Sequence, residues 1–148
     1  MNLDIFSDEY FMKEALKEAR KAFAEDEVPV GAVIVSNNRV IARGHNLTET
    51  LNDVTAHAEM QAFTAATDFI GGKYLNECTL YVTVEPCVMC AGAIKNARFK
   101  RIVIGSSEPK TGFTKFLSPE FSSKSEIVFG ILESECKQLM QDFFISKR

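Results

Sequence analysis

The chain has 148 residues, 46% hydrophobic and 25% charged, the balance of one ordinary globular domain (1–148) with a sizeable core. Its net charge of −3 gives no support to broad, charge-driven nucleic-acid binding, so a nucleic-acid partner would have to be met by a local basic patch. No apolar run approaches the roughly 20 residues that span a bilayer, and the start, Met1–Phe6, is neither basic nor followed by an apolar stretch. A cytoplasmic, reduced setting without membrane attachment is expected.

Ser7 is placed to cap a first helix, in which Phe11, Ala15, Ala19, Ala22 and Phe23 recur at helical spacing. Val28 to Ser36 reads as a buried strand. Asn37-Asn38 makes a hairpin turn, because asparagine tolerates positive φ, and Arg39 to His45 is the return strand. A polar loop, Asn46 to Thr55, leads to a helix from His57 to about Phe69, ended by Gly71-Gly72. Thr79 to Val84 is a third strand. A helix from Cys87 to about Ala97 follows, with Pro86 just before it suited to a helix start, where a missing N–H costs nothing. Arg101 to Gly105 is a fourth strand and Glu126 to Gly130 a fifth. The long loop between them, Ser106 to Ser125, has the length of a functional segment. Cys136, Leu139, Met140, Phe143 and Phe144 share one face of a final helix.

Strands alternating with helices imply an α/β fold, a mixed sheet of about five strands between two helical layers. The first two strands form an antiparallel hairpin. The later ones, joined through helices, run parallel.

Two short motifs carry chemistry. His57-Ala58-Glu59 and Pro86-Cys87-Val88-Met89-Cys90 supply three good zinc ligands, His57, Cys87 and Cys90, and one carboxylate. Three protein ligands leave a tetrahedral zinc one open position, the arrangement of catalytic sites. A water there becomes a usable nucleophile near neutral pH. Residues two apart on a helix point about 200° from one another. His57 and Glu59 can therefore serve one metal only from the end of a helix. Cys87 and Cys90 share a face. Both pairs then sit at helix N-termini, where the dipole favours thiolate. Glu59 is the candidate proton shuttle. A C-x-x-C alone could instead be a redox pair, half of a structural zinc site, or buried thiols. A structural site needs a fourth ligand from His45, Cys78 or Cys136, and none of these sits in a ligand-spaced pair.

His-x-Glu with Pro-Cys-x-x-Cys resembles the zinc-dependent nucleobase deaminases. Val28-Pro29-Val30-Gly31-Ala32-Val33, Asn46, Thr55–Glu59, Leu80–Ala93, Lys110-Thr111-Gly112 and Asp142-Phe143-Phe144 extend the likeness to the bacterial tRNA-specific adenosine deaminase family across nearly the whole chain. The resemblance implies a three-layer α/β/α sandwich of the cytidine deaminase-like type, one Zn²⁺ per chain and a homodimer. It implies conversion of adenosine to inosine at the wobble position of a tRNA anticodon loop. It also implies that Asn46 contacts the base, that Val28, Pro29 and Val30 wall the pocket, and that the Ala58 N–H and the Glu85 region shape it. Where the family often has a His-Arg pair before the fifth strand, this chain reads Phe121-Ser122-Ser123-Lys124-Ser125. Free guanine or cytosine deaminases share both zinc motifs and stay in play. A non-catalytic zinc-stabilised module would have no need of Glu59.

Lys95, Arg98, Lys100 and Arg101 could contact phosphates or form a solvated face. Phe113 and Phe116 could stack on bases or pack inward. His45 is expected to be structural or on the pocket rim, and Cys78 and Cys136 to be buried thiols.

Overall fold

The structure is a computed structural model and describes residues 6–122 and 124–148. Residues 1–5 of the non-basic start, and Ser123 within the Phe121–Ser125 stretch, lie outside them.

Helix α1 (Asp8–Ala24) starts at Ser7, whose hydroxyl accepts the Tyr10 N–H at 3.1 Å. The next strands, β1 (Gly31–Ser36) and β2 (Arg39–His45), pair antiparallel through Asn37 and Asn38. Both asparagines have positive φ, 52° and 60°, as a two-residue turn matched to strand twist requires. Helix α2 (Ala58–Ile70) ends on Gly71 in the left-handed region, φ 77°. Strand β3 (Thr79–Val84), helix α3 (Val88–Ala97) and strand β4 (Arg101–Ser106) follow. Then come a single turn, α4 (Phe113–Phe116), a 3₁₀ turn (Pro119–Ser122), strand β5 (Glu126–Phe129) and helix α5 (Glu133–Ser146).

The sheet order is β2-β1-β3-β4-β5. β1 is antiparallel to both neighbours, whereas β3, β4 and β5 are parallel. Alternation along the central strands feeds two cores. Ala32, Ile34, Leu80, Val82, Ile102 and Ile104 face α2 and α3. Val33, Val35, Tyr81 and Val103 face α1 and α5. This is the expected mixed sheet between helical layers.

Two expectations need correction. β1 begins at Gly31, not Val28. Val30 N donates to Val28 O at 2.9 Å in a tight turn, and Pro29 has no N–H to give a ladder. The helix cap after β3 is Cys87 itself, and Pro86 lies just before it, at the helix start as expected. Its carbonyl is held by Phe113 N at 2.9 Å. The long loop also contains two short turns rather than irregular chain alone.

Candidate active site at two helix starts

Backbone packing sets the position of α2. A Cβ on Gly44 of β2 would stand 2.4 Å from Ala58 O and 2.7 Å from Ala62 N, so only glycine lets the ligand-bearing helix lie this close to the sheet. His57 caps α2 with extended backbone, φ −71° and ψ 158°, and Cys87 caps α3 likewise, φ −74° and ψ 174°. Neither side chain caps its own helix, which leaves both turned to their neighbour. His57 Nδ1 lies 3.6 Å from Cys87 Sγ and 3.5 Å from Cys90 Sγ. The three donor atoms fall within 4.8 Å of one another.

These separations test the fit to a metal. With Zn–S of about 2.3 Å and Zn–N of about 2.05 Å, two ligands at a tetrahedral angle stand about 3.6 Å apart. The chain already holds that spacing. Among the described residues no fourth His, Cys, Asp or Glu joins the cluster, so a structural four-ligand site has no candidate there.

Hydrogen bonding prepares the donors. The Cys90 bond pulls the Cys87 thiol down to about 3, against burial and with help from His57. Cys90, which gives up its freedom to ionise in that bond, is pushed up. The bond to Cys87 raises His57 in turn. Glu59, in the first turn of α2, is only 3% exposed. Burial pushes its carboxyl up to about 7, against the pull of its own backbone N–H and of His57. A carboxyl titrating there can take and return a proton at neutral pH.

These residues open on a cavity of about 280 Å³, at the small end of the range for small-molecule sites, about 300–1,000 Å³. One wall is Val28, Val30, Asn46 and Thr48. Pro29, between the two valines, is fully buried and does not reach it. Ala58 lies at the floor, where its N–H belongs to the open end of α2. The far wall is Val84, Glu85, Glu108, Thr111 and Met140. Glu85 shapes that wall through the backbone. Its carboxylate accepts Glu108 N and Thr114 N at 3.0 Å each and the Thr114 hydroxyl at 2.7 Å. Asn46 is held by Val28 O at 3.4 Å and by Thr48 N at 3.2 Å.

Sequence reasoning missed Thr48, Val84, Glu108, Thr111 and Met140. Glu108 and Thr111 come from the segment singled out for its length, which was the available signal. Other readings resolve as follows. His45 bonds Glu18 and Glu25 and is structural. Cys78 and Cys136 are buried. Phe113 is buried in the core, whereas Phe116 is exposed. Arg101 is committed to Asp8 and Glu126. Arg98 lies over Tyr74 and Lys95 over Phe121. The last two line a larger cavity of about 890 Å³, which contains none of the motif residues.

A His–Cys–Cys cluster at the carboxyl end of β3, beside a buried carboxyl, is the arrangement expected on this fold of the hydrolytic deaminases of the cytidine deaminase type. The MafB19-like deaminase family model matches residues 6–148. A tRNA-specific adenosine deaminase of Bacillus subtilis is 46% identical over 142 residues, covering 93% of this chain and 88% of that one. A structure from a study of A-to-I editing by tRNA:A34 deaminases superposes with a TM-score of 0.82 at 44% identity, covering 88% of this chain and 98% of that one. A guanine deaminase of Bacillus subtilis is also similar, with a TM-score of 0.66 and 41% identity over 68% of this chain and 65% of that one. The chain belongs to the tRNA-specific adenosine deaminase family, within the MafB19-like deaminases. No helix among the described residues is long and apolar enough to cross a membrane.

Proposed function

We propose that this chain is a zinc-dependent hydrolase that converts adenosine to inosine at the wobble position of a tRNA anticodon loop. The observation that carries the reading is the His57–Cys87–Cys90 triangle, spaced for a tetrahedral metal, beside Glu59 in a pocket of base size. When bound by these three side chains, zinc supplies Lewis-acid activation of water near neutral pH. Glu59 takes a proton from the attacking water as its oxygen bonds to C6 of the extruded adenine. Glu59 delivers that proton to ring N1. Glu59 then takes the remaining proton from the new C6 hydroxyl and passes it to the amino group as the C6–N bond breaks, leaving inosine, which keeps the N1 proton, and ammonia. Val28 and Val30 exclude water from one side of the base, and Asn46 and the Ala58 N–H orient it.

Two features favour a base presented in RNA. The pocket continues past Val84, Glu108 and Met140 into a cleft of about 450 Å³ along α5. Lys137, Arg148 and the half-exposed Phe144 ring line that cleft and suit a phosphate and a stacked neighbouring base. A homodimer is supported by exposed Leu51, Val54, Val88 and Met89, apolar side chains that flank the metal ligands in sequence. The proposal further takes residues 1–148 as one working domain in the cytoplasm, where tRNA is found.

Incubation of zinc-loaded protein with a tRNA pool, followed by mass spectrometry of its nucleosides, tests the reading. Inosine at the wobble position is expected. Release of ammonia from free guanine or cytosine with every tRNA unmodified would replace it with a free-base deaminase. Substitution Cys90→Ala is expected to lose most of the metal, read by elemental analysis. Retention of full zinc in that variant would overturn the ligand assignment.

A further inference from the structure

Glu27 is fully buried, yet it has no part in the chemistry described above. It lies in the turn after α1, immediately before Val28. Its carboxylate reaches across to a segment 21 to 23 residues away. Oε1 accepts Glu49 N at 3.0 Å and the Thr48 hydroxyl at 3.5 Å. Oε2 accepts Thr50 N at 2.6 Å and the Thr50 hydroxyl at 2.7 Å. One side chain therefore ties Thr48–Thr50, in a loop without regular secondary structure, to the residue that begins the pocket wall. Val28, Asn46 and Thr48, the groups on either side of this tie, all line the base pocket.

A carboxylate is the side chain this place requires. All its partners are donors, and four donors need an acceptor-only group with two oxygens. Glutamine, of the same size, would turn an NH₂ toward one pair of donors. The loop would then be free to sample other conformations, at a cost in ordering on each binding event.

We propose that Glu27 is a positioning residue for the base pocket: its carboxylate clamps Thr48–Thr50 against Val28 and so holds Asn46 and Thr48 ready for the substrate. The proposal rests on the deaminase reading of the pocket, but the clamp itself can be tested apart from it. Hydrogen exchange reads the tether directly. In Glu27→Gln the Glu49 and Thr50 amides are expected to exchange about tenfold faster or more, with the α2 amides of Ala62 and Phe63 and the zinc content unchanged. Wild-type exchange at Glu49 and Thr50 in that variant would overturn the clamp whatever the enzyme acts on. Kinetics on an anticodon stem-loop then read positioning. KM is expected to rise about tenfold while kcat stays within about threefold, the mark of lost ground-state and transition-state binding together. A kcat/KM within about twofold of wild type, despite faster loop exchange, would overturn the positioning role. If Glu27→Gln loses zinc or exchanges faster throughout, Thr50→Val decides. It removes one hydroxyl from an exposed residue and is expected to raise KM about two- to fivefold with zinc and fold intact. An unchanged KM there overturns the proposal. Wild type inactive on RNA would sink the deaminase reading alone, leaving the exchange experiment to judge the clamp.

Discussion

Glu59 and Glu27 are both buried carboxyls, and their surroundings push them opposite ways. Glu59 meets desolvation with little help from donors, so burial raises it to about 7. At Glu27 burial pushes upward too and is the largest single influence. The Thr50 hydroxyl, the Glu49 and Thr50 amides and the Thr48 hydroxyl together outweigh it and hold the group below the usual carboxylate range. Donors and depth of burial together set the direction: four donors face the Glu27 carboxylate, whereas desolvation dominates at Glu59. Both directions occur around one cavity: Glu59 lines it, and Glu27 is tied to its Val28 and Thr48 wall from behind.

The sharpest way to break this contrast is to remove Glu59, the proposed proton carrier. Glu59→Gln is expected to lower kcat about 10²- to 10⁴-fold, the usual worth of general acid–base catalysis, with zinc content unchanged. Near-normal kcat in steady-state assays would move the proton chemistry to another group. The next effect comes from the scaffold under Glu59. Gly44→Ala drives a methyl group into the Ala58 carbonyl and is expected to cost about 1–3 kcal/mol in thermal unfolding and to weaken zinc retention. Unaltered stability would mean that β2 and α2 can separate without loss. The smallest effect lies at Glu27 and concerns acid. Its folded-state pKa is lowered, so its contribution to stability is fully present above the unfolded value, about 4.3, and is lost as pH falls through the folded value. Denaturant melts of metal-free protein between about pH 3 and 6 should show wild type losing more stability on acidification than Glu27→Gln. Parallel curves would mean that the hydrogen bonds do not favour the anion.

The metal corner was legible because its chemistry and its local structure share one short pattern. His-x-Glu and Cys-x-x-Cys give ligand type, helix placement and an expected open coordination in seven positions. Central strands were legible from runs of Val and Ile, and the hairpin from Asn37-Asn38. The pocket wall was harder. Val28-Pro29-Val30 continues the apolar run of β1, yet a bond from Val30 N to Val28 O takes it out of the sheet. That turn points both valines at the cavity and sends Pro29 inward. Glu27 closes the sequence Glu25-Asp26-Glu27, whose first two members are exposed, and nothing local separates it from them. Its partners lie more than twenty residues onward, a distance no periodicity reports. The same holds for Glu108 and Thr111, which owe their place to Glu85 pinning the loop on both sides of Gly112.

The separation of the metal donors along the chain also has a consequence in time. His57 and Cys87 are 30 residues apart, with all of α2 and β3 between them. At a synthesis rate of about 5–20 residues per second, the histidine leaves the ribosome about 2–6 s before Cys87. Until β3 is made and pairs with β1, nothing brings the two helix starts together. Closing that gap is a long-range step, slower than forming either helix. On the proposed ligand set, metal capture falls late in the birth of the protein, after the centre of the sheet has joined.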